Sequence, residues 1–333
     1  MVSNRSAFVD SANSPLRIAA SDIPLPGAVD IIVRNHAVAV NTIDPAQQGG
    51  FQVKKWPIVP GHDLAGEVYA VGSGVTRFKP GDRVIGHSWQ FFTNEPGDGA
   101  FSLYSRIPAA NAAILPDTIA YTQGVVLPLA IDTAAAGFYQ EGYMGLGLPS
   151  LDSEPGSRGG VVVVYGGSSS VGCAAIQLAC NAGYRVFATA SAANLDLCRE
   201  CGASQVFDYK SPSVAEDIAA ALGNDRFVGL YNAIGIPESF DVVAPIMEKL
   251  GGGFVANTKP PGKLPECINA KFVLGVGGSG FPIWEGFITE ALARGKFKCL
   301  PKARIVGKGL ESLEEAFEIR EGTVTAEKIV VEL

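Results

Sequence analysis

Histidine and cysteine are scarce where a metal site would need them. The chain of 333 residues has three histidines, His36, His62 and His87, and six cysteines, none of which precedes Cys173. A thiolate-rich zinc site therefore cannot be assembled from the first half of the chain. Charge is sparse as well: 18% of the residues are Asp, Glu, Lys or Arg, the net charge is −7, and Lys and Arg form no cluster. That excludes the basic footprint of a nucleic-acid-binding surface. Apolar runs are broken by Pro, Gly or Asp far short of a membrane span, and the start Met1-Val2-Ser3-Asn4-Arg5 lacks the apolar core of a signal peptide. The expectation is a cytoplasmic protein with no membrane association. Cys198-x-x-Cys201 has no second pair nearby and lies in a helix approaching a glycine stop, so core-facing thiols are expected there.

Hydrophobic residues, at 47%, are ample for sizeable cores, and the length suggests about two domains. The most informative stretch is Val161-Val162-Val163-Val164-Tyr165-Gly166-Gly167-Ser168-Ser169-Ser170-Val171-Gly172. Four valines predict a strand buried on both faces of a parallel sheet. The Gly/Ser turn then leads into a helical stripe of Val171, Ala174, Ala175, Leu178 and Ala179, stopped near Gly183. A helix N-terminus behind such a turn offers unpaired N–H groups to a pyrophosphate. The G-x-G-x-x-G fingerprint is incomplete, because Ser169 stands at its middle glycine and only Gly172 fits the third position. Arg185–Ser191 follows as a second strand at βαβ spacing, ending about 20 residues past the turn, where a ribose should lie.

Before this, residues 5–40 and the cluster 60–86 look like short strands punctuated by glycine turns, as in a compact β-barrel. Near residue 127 the pattern changes to alternating βα, which marks a domain boundary. Further strands are expected at Gln205–Tyr209, Val228–Ile234, Gly253–Asn257 and Phe272–Val276, with helices at Val214–Leu222 and 283–297.

Gly61-His62-Asp63-x-x-Gly66-x-Val68-x-x-Val71-Gly72, followed by Lys79-Pro80-Gly81-Asp82-Arg83-Val84, resembles the N-terminal domain of the medium-chain dehydrogenase/reductase family. The likeness continues through Gly99-Ala100-Phe101-x-x-Tyr104, Leu127-Pro128-Leu129-Ala130-x-x-Thr133-Ala134 and the glycine turn to Glu327-Lys328-Ile329-Val330-Val331. Within that family, Leu146-Gly147-Leu148-Pro149, the glycine turn and Val206-Phe207-Asp208-Tyr209 resemble the fungal stand-alone enoyl reductases that work with polyketide synthases, and next the zinc-free quinone oxidoreductases. The resemblance implies an α/β fold: a GroES-like β-rich catalytic domain, residues 1–126 with 282–333, interrupted by a Rossmann domain, residues 127–281. It also implies that Tyr209 packs by the adenosine ribose phosphate and Asn257 by the nicotinamide half, while Asp44, Lys328 and Ile329 come from the first domain to close over the cofactor.

Where the family's first cysteine ligand would stand this chain has Asn41, and His62 is left without thiolate company. No zinc is expected, and His62 becomes a hydrogen-bonding residue; convergence of His36, His62 and His87 with Asp44 or Asp63 is the alternative. An NAD enzyme places Asp or Glu at the end of the second strand to hold the ribose 2′-OH, whereas this strand ends in Ala190-Ser191. Ser191 and Asn194 supply donors suited to a phosphate, or cap the following helix, so NADPH is the expected cofactor, its pyrophosphate on Ser168, Ser169, Ser170 and Val171. Without a Lewis acid, conjugate reduction of an α,β-unsaturated carbonyl or enoyl thioester is favoured over alcohol dehydrogenation. Thr133 is the candidate catalytic residue for placing nicotinamide or substrate, against a helix-interior Thr bonding its own carbonyl. Ala46 and Thr42 replace the lysine and proline common in the fungal enzymes, which leaves the proton donor open. A quinone or carbonyl reductase, or a non-catalytic NADPH binder, is the alternative. The expected partners are a small-molecule or carrier-bound acyl substrate and a polyketide synthase, with the chain a monomer or homodimer.

Overall fold

The computed structural model describes residues 3–275, 278 and 280–333. The chain folds into two compact units: residues 1–129, 284–293 and 302–333 form the first, and residues 130–283 and 294–301 the second.

Among the described residues the first unit carries a seven-stranded sheet. Along its path lie Lys302–Lys308, Glu327–Glu332, Asp30–Ala39, Asp63–Val71, Arg83–His87 and Ala112–Ile114, with Tyr104–Pro108 also pairing with Asp30–Ala39. Every pairing is antiparallel except Lys302–Lys308 with Glu327–Glu332. The last strand thus returns to the first long one, Val330 opposite Ala39. Val33, Val38, Leu64, Val84, Phe101, Ile107, Ile329 and Val331 fill the core. The glycine spacing follows from close backbone approach: a Cβ on Gly66 would lie 2.8 Å from the Arg34 carbonyl carbon across the sheet.

The second unit holds a six-stranded sheet, ordered Gln205–Asp208, Arg185–Ala190, Val161–Tyr165, Phe227–Asn232, Gly253–Asn257 and Ile268–Phe272, all parallel. Val161 to Val164 are fully buried, as a strand covered on both faces requires. Starting from Val161–Tyr165, the next two strands step to one side and the three after them to the other. The order therefore reverses between Val161–Tyr165 and Phe227–Asn232, the crevice where doubly wound sheets bind ligands beyond the carboxyl ends of their strands.

Two expectations are corrected. The last parallel strand is Ile268–Phe272, not Phe272–Val276: Val273 and Leu274 are apolar but follow the ladder, and Val276 lies outside the described residues. The helix expected over 283–297 begins at Phe281–Ile283, widens to a π-helical turn at Trp284–Ile288 and closes with Thr289–Ala293. Trp284, Phe287, Ile288 and Leu292 are buried and form its apolar face. An i→i+5 turn is invisible to a 3.6-residue periodicity.

Candidate functional site

In the second unit every parallel strand ends at one edge, so Ser168–Val171, Ser191, Asn194 and Tyr209 follow the carboxyl ends of three strands and Asn257 is the last residue of a fourth. The glycine turn is built by exclusion. Gly166 sits at φ +75°, and a side chain there would overlap Ile234, which follows the neighbouring strand across the crevice. A Cβ on Gly167 would lie 2.9 Å from Cys198 Sγ, and one on Gly172 2.7 Å from Gly167 Cα. The bare glycines therefore let the helix Ser170–Asn181 and Cys198 of the helix Leu195–Glu200 approach the turn closely. Ser169, at the middle fingerprint position, folds its hydroxyl inward: Oγ donates to the Gly166 carbonyl at 2.8 Å and accepts from Gly172 N–H at 3.0 Å. Serine is accommodated because it caps the helix instead of filling the turn. Ser168, Ser170 and Val171 remain partly exposed at the helix N-terminus, where N–H groups without intrahelical partners favour an anion.

The second strand ends without a carboxylate. Ser191 occupies the cap position of the turn Ala192–Asn194 but makes no side-chain cap; its Oγ instead accepts from Asn194 Nδ2 at 3.1 Å. Plain helix capping does not account for the pair. Tyr209 N–H donates to the Ala190 carbonyl at 3.2 Å, and its ring meets Tyr165 edge-on with centroids 6.0 Å apart. Burial, then Tyr209 and Asp241, push the Tyr165 phenol up to about 12, so it stays a neutral part of the wall.

Asn257, fully buried, donates Nδ2 to the Lys259 carbonyl at 2.6 Å and the Gly235 carbonyl at 3.3 Å, while its Oδ1 has no hydrogen-bond partner. A buried amide oxygen without a donor at a strand end is costly unless a ligand satisfies it. Thr133 lies in the helix Pro128–Tyr139, nearly buried; its carbonyl accepts from Tyr231 O–H at 2.6 Å and its side chain packs on the backbone of Gly275. The turn Asn232–Gly235 escaped the sequence reading. Asn232 Oδ1 accepts from Gly235 N–H at 3.0 Å and Ile234 N–H at 3.2 Å, shaping the other lip of the crevice. The strand expected over Val228–Ile234 instead runs Phe227–Asn232, because Asn232 turns the chain with its own side chain; the signal in the sequence was Asn followed by glycine three residues on.

In the first unit, Asp44 and Lys328 are committed to one another's neighbours. Asp44, fully buried in the short helix Ile43–Gln48, accepts from Asn41 N–H at 2.7 Å and pairs with His62 Nδ1 at 2.7 Å. Lys328 Nζ donates to Asn41 Oδ1 and lies 2.9 Å from Asp63 Oδ2, with both side chains almost wholly buried. Asp63 also accepts from Asn41 Nδ2 at 2.9 Å and from Leu129 N–H at 2.6 Å. Ile329 is buried and its carbonyl accepts from Val40 N–H at 2.9 Å. The hub is therefore Asp63, which sequence alone marked as part of a motif and as an alternative metal ligand, not as the partner of Lys328. His62 Nε2 has no hydrogen-bond partner, and the His87 ring lies 5.9 Å away; His36 stacks instead on Tyr121 at 4.7 Å. The three histidines do not meet. Burial lowers the pKa of the Arg320 guanidinium, while the Asp44 charge opposes that shift.

Residues 27–117 match the family described as Alcohol dehydrogenase GroES-like domain, and residues 170–275 that described as Zinc-binding dehydrogenase. The chain is 40% identical to the dehydrogenase orsE of Emericella nidulans, over all of both chains. It is 38% identical to the trans-enoyl reductase himH of Aspergillus japonicus, over 91% of this chain and 90% of that protein. In fold it matches an alcohol dehydrogenase superfamily protein from Novosphingobium aromaticivorans with a TM-score of 0.77 at 23% identity, covering 99% of each. The zinc in the second description does not fit the residues present. Asn41 offers a neutral amide, its oxygen and one Asp63 oxygen are taken by the Lys328 ammonium, and among the described residues no three His, Cys, Asp or Glu side chains are grouped to hold a metal. A dinucleotide does fit, on a turn cleared of side chains at the switch point of a parallel sheet. The chain is an oxidoreductase of the medium-chain dehydrogenase/reductase superfamily, with a GroES-like β-rich part and a Rossmann sheet.

Proposed function

We propose that the protein is a zinc-independent, NADPH-dependent reductase of α,β-unsaturated carbonyl or enoyl thioester substrates. The observation that carries this reading is the Asn41–Asp63–Lys328 network, which fills with hydrogen bonds the oxygen atoms a Lewis acid would need. A localised alkoxide would have no metal to hold it, whereas an enolate spreads its charge and needs only one or two donors. The name of the 38% identical relative, a trans-enoyl reductase, supports the same chemistry.

Ser168, Ser170 and Val171 at the helix N-terminus would hold the pyrophosphate, Ser191, Asn194 and Tyr209 the adenosine ribose, and the unpartnered Asn257 Oδ1 would accept from the nicotinamide amide. When bound, the dihydronicotinamide supplies a hydride to the β-carbon. Thr133, whose carbonyl is fixed by Tyr231, would place the ring or the substrate carbonyl. With alanine at position 46 no lysine is at hand there, so the α-proton would come from water or another solvent-exchangeable donor. The substrate would be a free or carrier-bound acyl intermediate of a biosynthetic pathway, handed over by a polyketide synthase. The test is turnover of an enone and enoyl-thioester panel with NADPH and with NADH: saturated products formed preferentially with NADPH support the proposal, and binding of NADPH with no turnover of any acceptor overturns it.

A further inference from the structure

Resting on the NADPH reading, we infer that Lys210 is the cation that recognises the adenosine 2′-phosphate and so sets the cofactor preference. Ser191 and Asn194 contribute neutral donors only, and a phosphate monoester carries between one and two negative charges at neutral pH. A cation within reach would add a charge-assisted contact that these neutral donors cannot make. The neighbouring strand supplies it. Asp208 lies opposite Ala190 in the parallel ladder, and Tyr209 N–H reaches the Ala190 carbonyl, so the turn after Asp208 runs beside Ser191.

Within that turn Lys210 N–H donates to Asp208 Oδ1 at 3.0 Å, which draws the only carboxylate of the turn onto the backbone and away from a ribose-binding role. The Lys210 ammonium rests over the Tyr209 ring, 5.8 Å from its centroid, and the side chain is exposed. It takes part in no ion pair among the described residues. Arg199, the cation of the helix Leu195–Glu200 that follows Ser191, is different: its guanidinium pairs with Asp196 at 2.6 Å. Lys210 is therefore a cation parked on an aromatic face in the turn whose backbone runs along the strand end before Ser191, able to swing from the ring to an incoming anion without breaking a salt bridge. Asp208 is the internal competitor. If it left its turn it would repel the same phosphate and favour a 2′-hydroxyl.

The experiment is calorimetric titration of the full chain and of its Lys210→Gln and Lys210→Arg variants with adenosine 2′,5′-bisphosphate and with adenosine 5′-monophosphate. Both probes share the adenosine and the 5′-phosphate and neither is reducible. Lys210→Gln should weaken the bisphosphate about tenfold, the order of one charge-assisted contact, and leave the monophosphate unchanged. Lys210→Arg should retain the discrimination, and added salt should erase more of it in the unmodified chain than in Lys210→Gln. If the unmodified chain discriminates between the probes and Lys210→Gln discriminates equally well, the assignment of Lys210 is overturned while the NADPH reading stands. Equal loss for both probes overturns it too, since that reports a disturbed adenosine site. If the unmodified chain binds both probes equally, the NADPH reading falls and the assignment with it.

Discussion

Replacing Lys328 by methionine should destabilise the first unit by about 3 kcal/mol. The ammonium lies 2.9 Å from Asp63 Oδ2, and the two side chains are 5% and 0% exposed. Breaking a buried ion pair from one side costs about 3–5 kcal/mol, mostly the charge left behind. The lower end applies here because Asp63 keeps two donors, Asn41 Nδ2 at 2.9 Å and Leu129 N–H at 2.6 Å. At about 2–4 °C per kcal/mol the melting temperature should fall by roughly 6–12 °C. Differential scanning calorimetry gives the shift directly. Adding Asp63→Asn in the same chain should recover part of the loss, because the double variant has no uncompensated charge; a coupling above about 1 kcal/mol is expected. A fall below about 2 °C, or strictly additive effects, would refute the claim that Lys328 and Asp63 form one buried cluster.

Ser191→Asp should raise affinity for NADH and weaken NADPH by about tenfold or more, reversing the preference, because it restores a carboxylate at the end of the second strand; equal affinity of the unmodified protein for both cofactors would contradict the reasoning. Gly172→Ala should cost about 1–3 kcal/mol of stability and impair dinucleotide binding, since the new methyl must sit 2.7 Å from Gly167 Cα and overlap the Gly166 carbonyl; unchanged melting and binding would show that the turn yields. With Ellman's reagent at neutral pH, the exposed Cys267 should react first, about one thiol per chain. Cys180, Cys198 and Cys299 should lag, because burial pushes their thiols up to about 12; rapid release of several equivalents would contradict their packing.

What the sequence made legible was local. Four consecutive valines announced a strand covered on both faces, and Gly166 and Gly172 marked the turn because no side chain fits there. The missing acid after Ala190 was equally visible. The inward hydroxyl of Ser169 was not, since a serine in a fingerprint looks the same whether it faces a ligand or its own helix. The Asn41–Lys328 bond joins residues 287 apart, and no periodicity or spacing can signal a contact made only when the last strand returns to the first. Likewise Val273 and Leu274 looked like strand by apolarity, but the ladder with Gly253–Asn257 was taken by the alternating Ile268–Phe272.

The most direct test of conjugate reduction is the position of the label after single turnover with NADPH deuterated at the transferred hydrogen and an α,β-unsaturated ketone in ordinary water. The account predicts deuterium at the β-carbon, on one face, and a solvent hydrogen at the α-carbon, with the same outcome after chelator treatment, because Lys328 occupies the Asn41 and Asp63 oxygens and among the described residues no donor set for zinc is grouped. Deuterium at the carbonyl carbon, giving an allylic alcohol, or loss of turnover with loss of a stoichiometric metal, would contradict it.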